Sequence, residues 1–214
     1  MNNYSNVIEM YRHAFEQFGD SPNAVFWPKG RQWERFNSLT SQIKIDNFSL
    51  LDYGCGLGHL FTFLQDRFST FSYTGVDIVD EFIAQNKSKY PTSKFLKIND
   101  FGDVKNNYDF ITIAGVFNIL YTNLNDHKKI VFNTIKHLFE YTNIALSINF
   151  MTDLVDFKSE NSYHQNIPEI FEFACNHLSK RLIIDQSYMP YEFTITIFKD
   201  AEIIRPANIY NILK

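Results

Sequence analysis

Cysteine is scarce: Cys55 and Cys175 are the only two in 214 residues. One falls in a glycine-rich turn and the other in an expected helix far along the chain. That spacing speaks against a disulfide framework and against a cysteine-built metal site. Long apolar runs are missing as well. None approaches the roughly 18 residues that a membrane-spanning helix needs. The N-terminus has no charged head followed by an apolar core, so no secretion signal is expected. Nor is there a surplus of positive charge: 20 Lys and Arg against 24 Asp and Glu leave a net charge of −4. Grooves that follow a nucleic-acid backbone normally carry a basic excess, so RNA or DNA is disfavoured as a partner. No repeat, low-complexity tract or linker breaks the chain. These absences leave a cytoplasmic protein, monomeric or homodimeric, folded as a single domain over residues 1–214.

Apolar residues are plentiful, at 45% with 22 phenylalanines, enough for a full core. The stretch that organises the chain is Ser49-Leu50-Leu51-Asp52-Tyr53-Gly54-Cys55-Gly56-Leu57-Gly58-His59-Leu60. A short apolar run ends in an aspartate and a glycine-rich turn follows. Leu60, Phe61, Leu64 and Phe68 then recur at helical spacing. A strand, a glycine turn and a helix N-terminus together form a cradle for a nucleotide or an anion. A dinucleotide fold wants G-x-G-x-x-G. Here the glycines fall at 54, 56 and 58, and His59 occupies the third-glycine position.

Helices are expected over 5–18, with Val7, Ile8, Tyr11, Phe15 and Phe18 inward, and over about 31–43, with Trp33, Phe36 and Leu39 inward. From residue 49 strands and helices alternate. Strands are expected at 49–53, 73–78, 94–98, 108–114 and 143–150, and helices from the glycine turn to about 68, then at 80–89, 125–140 and 168–179. Residues 151–166 are polar and aperiodic, as lids often are. Two strands, 181–186 and 192–199, close the pattern, and the tail 200–214 has no strong signal. Alternation of this kind implies a largely parallel sheet covered on both faces, and the short final link implies an antiparallel last strand.

The run Asp52-Tyr53-Gly54-Cys55-Gly56-Leu57-Gly58 resembles the first motif of class I S-adenosylmethionine-dependent methyltransferases of the bacterial, small-molecule type. The resemblance covers about 49–199, most of the chain. It implies a Rossmann-like, doubly wound, seven-stranded α/β sheet, mostly parallel with an antiparallel last strand, behind N-terminal covering helices over 1–45. It also implies S-adenosylmethionine as cofactor. Asp77, at the end of the second strand, is then placed to accept the ribose hydroxyls, although it could equally cap the helix that follows. Ile78 would lie against the adenine. Asp100 and Phe101 would meet the adenine edge, or Asp100 would merely open a turn. Asp52 would hold the methionine amino group, with the backbone at Gly54 and Gly115. Cys55, Gly56 and Gly58 complete the cradle. Arg35 or Gln32 would meet the methionine carboxylate, unless Arg35 is a surface arginine.

The methyl acceptor is expected over the same sheet edge. Tyr11, Trp27 and Tyr163 are candidates for its walls, and His164, Tyr191 and Asn118 for its chemistry; their alternative role is packing or solvation. An imidazole such as His164 can serve as a base near neutral pH. His127, His137 and His177 are expected on helix surfaces. After the fourth strand, Ala114-Gly115-Val116-Phe117-Asn118 lacks the Asn/Asp-Pro-Pro-aromatic sequence of enzymes that methylate nucleobase amines. It also lacks the aspartate of metal-dependent catechol-type enzymes, so no metal is expected. Some bacterial methyltransferases that the chain resembles serve surface-carbohydrate biosynthesis, which implies a sugar hydroxyl or a phosphorylated small molecule as acceptor; Lys29, Arg31 and Arg35 could hold a phosphate, or form a solvated basic face. The rival readings are a nicotinamide-dependent oxidoreductase, an RNA methyltransferase and a non-catalytic cofactor-binding protein.

Overall fold

The computed structural model describes residues 4–27, 30–120 and 122–199. Lys29 and the tail 200–214 lie outside the described residues. Seven strands form one sheet: β1 (Phe48–Tyr53), β2 (Phe71–Asp77), β3 (Lys94–Lys97), β4 (Tyr108–Ala114), β5 (Thr142–Met151), β6 (Leu182–Asp185) and β7 (Glu192–Phe198). Their order is β3-β2-β1-β4-β5-β7-β6. Strands β1 to β5 pair in parallel, and β7 runs antiparallel to both β5 and β6. The expected single reversed strand is therefore β7.

Alternation along the strands builds two cores. Leu50, Phe110 and Ala145 point to one face, where Phe36, Leu60, Phe61 and Ile83 cover them. Their neighbours Leu51, Ile111 and Leu146 point to the other, where Val131, Ile135, Leu138 and Ile170 pack. The covering helices are α2 (Gln32–Thr40), α3 (His59–Gln65) and α4 (Asp80–Lys89) on the first face, and α5 (Leu124–Glu140) and α6 (Ile167–His177) on the second. Asn123 and Asn166 cap α5 and α6 by accepting the amides of Asp126 and Glu169.

Before the sheet, α1 (Ser5–Phe18) is followed by a 3-10 turn at Pro22–Val25 and then α2. Two inward expectations fail here. Phe18 is 41% exposed because α1 ends in a Gly19 turn at the surface. Trp33 is 49% exposed and lies on Phe63 rather than in the core. The 151–166 segment folds beside the loop after β4, through isolated bridges Ile119–Ser162 and Thr152–Gln165.

Ile111 is fully buried on β4, between β1 and β5. Ile111→Ala should cost about 2–5 kcal/mol, read as a lower urea midpoint at unchanged m-value.

Candidate active site

The order in which the chain adds strands switches from one side to the other between the parallel neighbours β1 and β4, and a cleft opens outside the carboxyl ends of these strands. Its floor is the turn after β1. Gly54 and Cys55 donate their amides to the carbonyl of Val76 (2.8 and 2.9 Å), which hooks the turn over the end of β2. Gly54 has φ +77°, and a Cβ there would sit 2.2 Å from Val116 Cγ2, so both conformation and space demand glycine. Asn86 of α4 donates to the carbonyl of Gly56 at 2.7 Å and fixes the far side of the turn.

Two carboxylates stand at this floor. Asp77 Oδ2 accepts the amide of Gly56 and Oδ1 that of Val79, both at 2.9 Å. Burial pushes its pKa up, against the pull of those amides. Asp52 is 2% exposed; Tyr73 donates its hydroxyl to Oδ2 (2.7 Å) and Thr112 to Oδ1 (3.4 Å). Burial, with Asp77 nearby as a lesser contribution, pushes Asp52 up to about 7. Burial also raises the Cys55 thiol well above its ordinary range, so this cysteine is inert at neutral pH.

The N-terminal segment roofs the cleft with Tyr4, Val7, Tyr11, Val25, Trp27, Gln32 and Phe36. Tyr11 packs against Phe26 and edge-on against Phe82 of α4, with centroids 5.1 and 5.8 Å apart. The wall after β4 is Gly115, Val116, Phe117 and Ile119, backed by Ile130 and Thr134 of α5. Gly115 has φ +72°, and a Cβ there would meet Trp27 Cζ2 at 2.7 Å. The cleft holds about 1120 Å³ of atom-free space that includes its opening to solvent, on the scale of a site for a nucleoside-sized ligand.

Asp52, Gly54, Cys55, Gly56, Asp77, Ile78, Gly115, Tyr11, Trp27 and Gln32 all line this cleft, as expected from the sequence. Gly58 lies just behind it as the N-cap of α3. Other candidates stand elsewhere. Arg35 donates to Glu192 through two of its guanidinium nitrogens, Nε and Nη2, and is not among the lining residues. Asp100 accepts the amide of Gly102 at 2.8 Å and caps a 3-10 turn, and Phe101 packs on His137. Asn118 Oδ1 accepts the amide of Met151 (3.3 Å), tying the loop after β4 to β5.

The expected acceptor group from the 151–166 segment does not assemble over the cleft. Tyr163 is 1% exposed, its ring against His127 and its hydroxyl donating to Gln165 Oε1. His164 Nδ1 lies 2.8 Å from the carbonyl of Thr152, and Tyr191, half exposed, donates to Asp156. The physical reason is that Ser162 pairs with Ile119 of the loop after β4 while Gln165 pairs back on Thr152 at the start of the same segment, so its residues are spent on the loop and on each other.

Four supporting roles escaped the sequence reading. Tyr73 holds Asp52, and the only signal would have been strand register: Tyr73 pairs with Leu50, two residues before Asp52 on the same face. Tyr4 and Val7 join the roof. His127, expected at a helix surface, is fully buried with Nε2 3.0 Å from the carbonyl of Phe117, and so braces the cleft wall.

Cleft, glycine turn and sheet order define a class I methyltransferase fold. Residues 51–140 match the methyltransferase domain family, in keeping with the resemblance of the glycine turn to that of class I S-adenosylmethionine-dependent methyltransferases. Among curated proteins it is similar to Rv1506c of Mycobacterium tuberculosis, a methyltransferase by name, with 24% identity over 157 residues that cover 72% of this chain and 95% of that one. Among solved structures it is similar to magnesium protoporphyrin IX methyltransferase from Synechocystis PCC 6803 with bound S-adenosylhomocysteine. The TM-score is 0.65 at 14% identity, over 92% of this chain and 95% of that one. A TehB-like methyltransferase from Corynebacterium glutamicum gives a TM-score of 0.58 at 15% identity, over 92% and 99% of the two chains. At these identities the structural likeness is one of fold.

The Asp52 environment has a consequence in the free protein. An acid whose folded pKa is raised contributes its full stability below its unfolded value, near 3.9, and loses it as pH rises through its folded value, about 7. Asp52→Asn should therefore melt higher than the wild type at pH 8 and show little gain at pH 4, measured by thermal unfolding across that range. Gly115→Ala should displace Trp27 and lower stability by roughly 1–3 kcal/mol, the usual scale of backbone strain and overpacking, measured by urea unfolding.

Proposed function

We propose that this chain binds S-adenosylmethionine in the cleft and methylates a small, uncharged acceptor enclosed beneath the N-terminal roof. The observation that carries the reading is the cradle itself: a glycine turn that a Cβ at Gly54 would block, flanked by the carboxylates of Asp52 and Asp77. These residues fit the cofactor. Asp77 spends one lone pair of each oxygen on a backbone amide and keeps the others for two ribose hydroxyls. Asp52, with the carbonyls of Gly54 and Gly115, offers acceptors to an ammonium group. Ile78 and Ile98 supply an apolar slot for the adenine, a role that in this reading passes from Asp100 and Phe101 to them and the adjoining backbone.

When bound, the cofactor would supply an electrophilic methyl group to an oxygen or nitrogen of the acceptor. The chain's own part is to bind, orient and keep water away. The aromatic roof suits that task, since alignment and exclusion of water can supply much of such a rate.

The lining also bears on the acceptor's charge. A phosphate or carboxylate would need cationic forks to offset its desolvation. Arg35 is committed to Glu192, and Arg31 reaches Met189 Sδ at 3.9 Å. His59, whose pKa burial lowers, bonds to Asp20. Two buried carboxylates add a further cost for an anion. Among the described residues, these features favour a neutral acceptor over a phosphorylated one.

Titration calorimetry with S-adenosylhomocysteine, with NAD as control, tests the cofactor. Ligand at 100 times its dissociation constant should stabilise the fold by about 2.7 kcal/mol. Asp77→Ala should weaken binding more than tenfold in a folded protein, since each hydrogen bond to a charged group contributes roughly 1.5–3 kcal/mol. Heat with NAD and none with S-adenosylhomocysteine would overturn the reading.

A further inference from the structure

Trp27 stands between the cleft and a buried ion pair. Its indole edge touches the turn at Gly115, where a Cβ would be 2.7 Å from Cζ2. The guanidinium carbon of Arg35 lies over the ring, 3.8 Å from its centroid. Arg35, on α2, forks onto both oxygens of Glu192, the first residue of β7. The two side chains are 15% and 12% exposed. Glu192 also accepts from Asn149 Nδ2 of β5 (3.2 Å), which in turn donates to the Tyr188 hydroxyl (2.8 Å). Tyr188 closes the group on Thr194 Oγ1 at 3.0 Å.

We propose that the Arg35–Glu192 pair acts as a positioning clamp: it rivets the N-terminal roof to the β5–β7 pair within the sheet and holds the Trp27 indole as the cleft wall over Gly115. The assignment rests on the cofactor reading above and replaces the expected role of Arg35 as a ligand of the methionine carboxylate. An apolar pair at this place would fill the same volume but leave α2 free to slide. A planar fork on a carboxylate accepts one geometry, and its flat face presses the indole into one plane. Both partners are buried with their hydrogen bonds made, so removing either leaves the other charge uncompensated.

The two roles separate experimentally. S-adenosylhomocysteine and 5′-methylthioadenosine share the nucleoside and the thioether, and only the first carries the amino-acid carboxylate. Calorimetry would compare both ligands on the wild type, Arg35→Met, Glu192→Gln and the double variant. A clamp predicts that each single variant weakens both ligands by a similar factor, on the order of tenfold for a misplaced wall. It also predicts that the double variant loses no more than the worse single one, because both act through one interaction. Loss confined to S-adenosylhomocysteine in Arg35→Met, with Glu192→Gln unaffected or tighter, would make Arg35 a carboxylate ligand and overturn the clamp. Unchanged affinity in every variant would overturn it too.

Arg35→Lys keeps the charge but loses the planar face, and guards against variants that do not fold. The clamp predicts weaker binding of both ligands by this folded protein, and wild-type affinity would refute it. In a Trp33→Phe background the remaining tryptophan reports the wall directly. Its emission should shift in ligand-free Glu192→Gln, and an unmoved spectrum would count against the clamp. A wild type that binds neither nucleoside defeats the cofactor reading alone, and the fluorescence still judges the clamp.

Discussion

Two carboxylates buried at one cleft floor, each bonded among the described residues only to neutral donors, are the costly feature on which this structure turns. Asp52 rests on two hydroxyls and Asp77 on backbone amides. Neither arrangement brings a counter-charge, and burial raises both pKa values. A purely structural aspartate would be paired or exposed. Such a cost persists where the surrounding chain over-determines it. Here Tyr73 and Thr112 fix Asp52 from neighbouring strands, and the turn that supplies the Gly56 amide is pinned by Val76 and Asn86. In the proposed function the missing cationic partner arrives with the cofactor, whose ammonium group would meet Asp52, held at a pKa of about 7 by its burial.

The roof answers the same constraint. Carboxylates open to bulk water would be cheaper, but their attraction for a ligand would be screened. Tyr11 and Phe15 on Phe82, with Ala24 and Val25 against Leu57, form a small apolar cluster that joins the roof to the glycine turn. The residues that keep water from the floor are thus packed against the helices that shape it.

Local signals carried much of this. The glycine turn, Asp77 at a strand end and the alternation from residue 49 follow from turn chemistry and periodicity, which act within a dozen residues. The mostly parallel sheet with a reversed last strand followed from the alternation together with the family resemblance. What stayed hidden was tertiary partnership. The periodicity around Arg35 does not reveal Glu192, 157 positions on. His127 looks like a helix-surface imidazole until the loop after β4 folds beneath it. The polar 151–166 segment reads as a lid, because polarity and absence of period say that it is a loop but not which way it lies. Trp33 fits an inward stripe on α2, but that stripe is narrower than a period-based reading draws it.

The roof is not held evenly. At α1 the polar links are Arg12–Glu81 and the contacts of Asp20 with Lys89 and His59, all partly solvated. Ion pairs of that kind contribute about 0–1 kcal/mol and weaken with salt, so α1 relies on its aromatic contacts with Phe82. At α2 the pair is buried, forked and backed by Asn149. Local opening in a folded protein follows the thinnest packing. Opening of the roof is therefore expected to cost least along α1, beside Val7 and Tyr11, and most on the Trp27 side of the cleft. That division places the yielding part of the roof over Asp77, the ribose side in the proposed function, and the rigid part over Gly115.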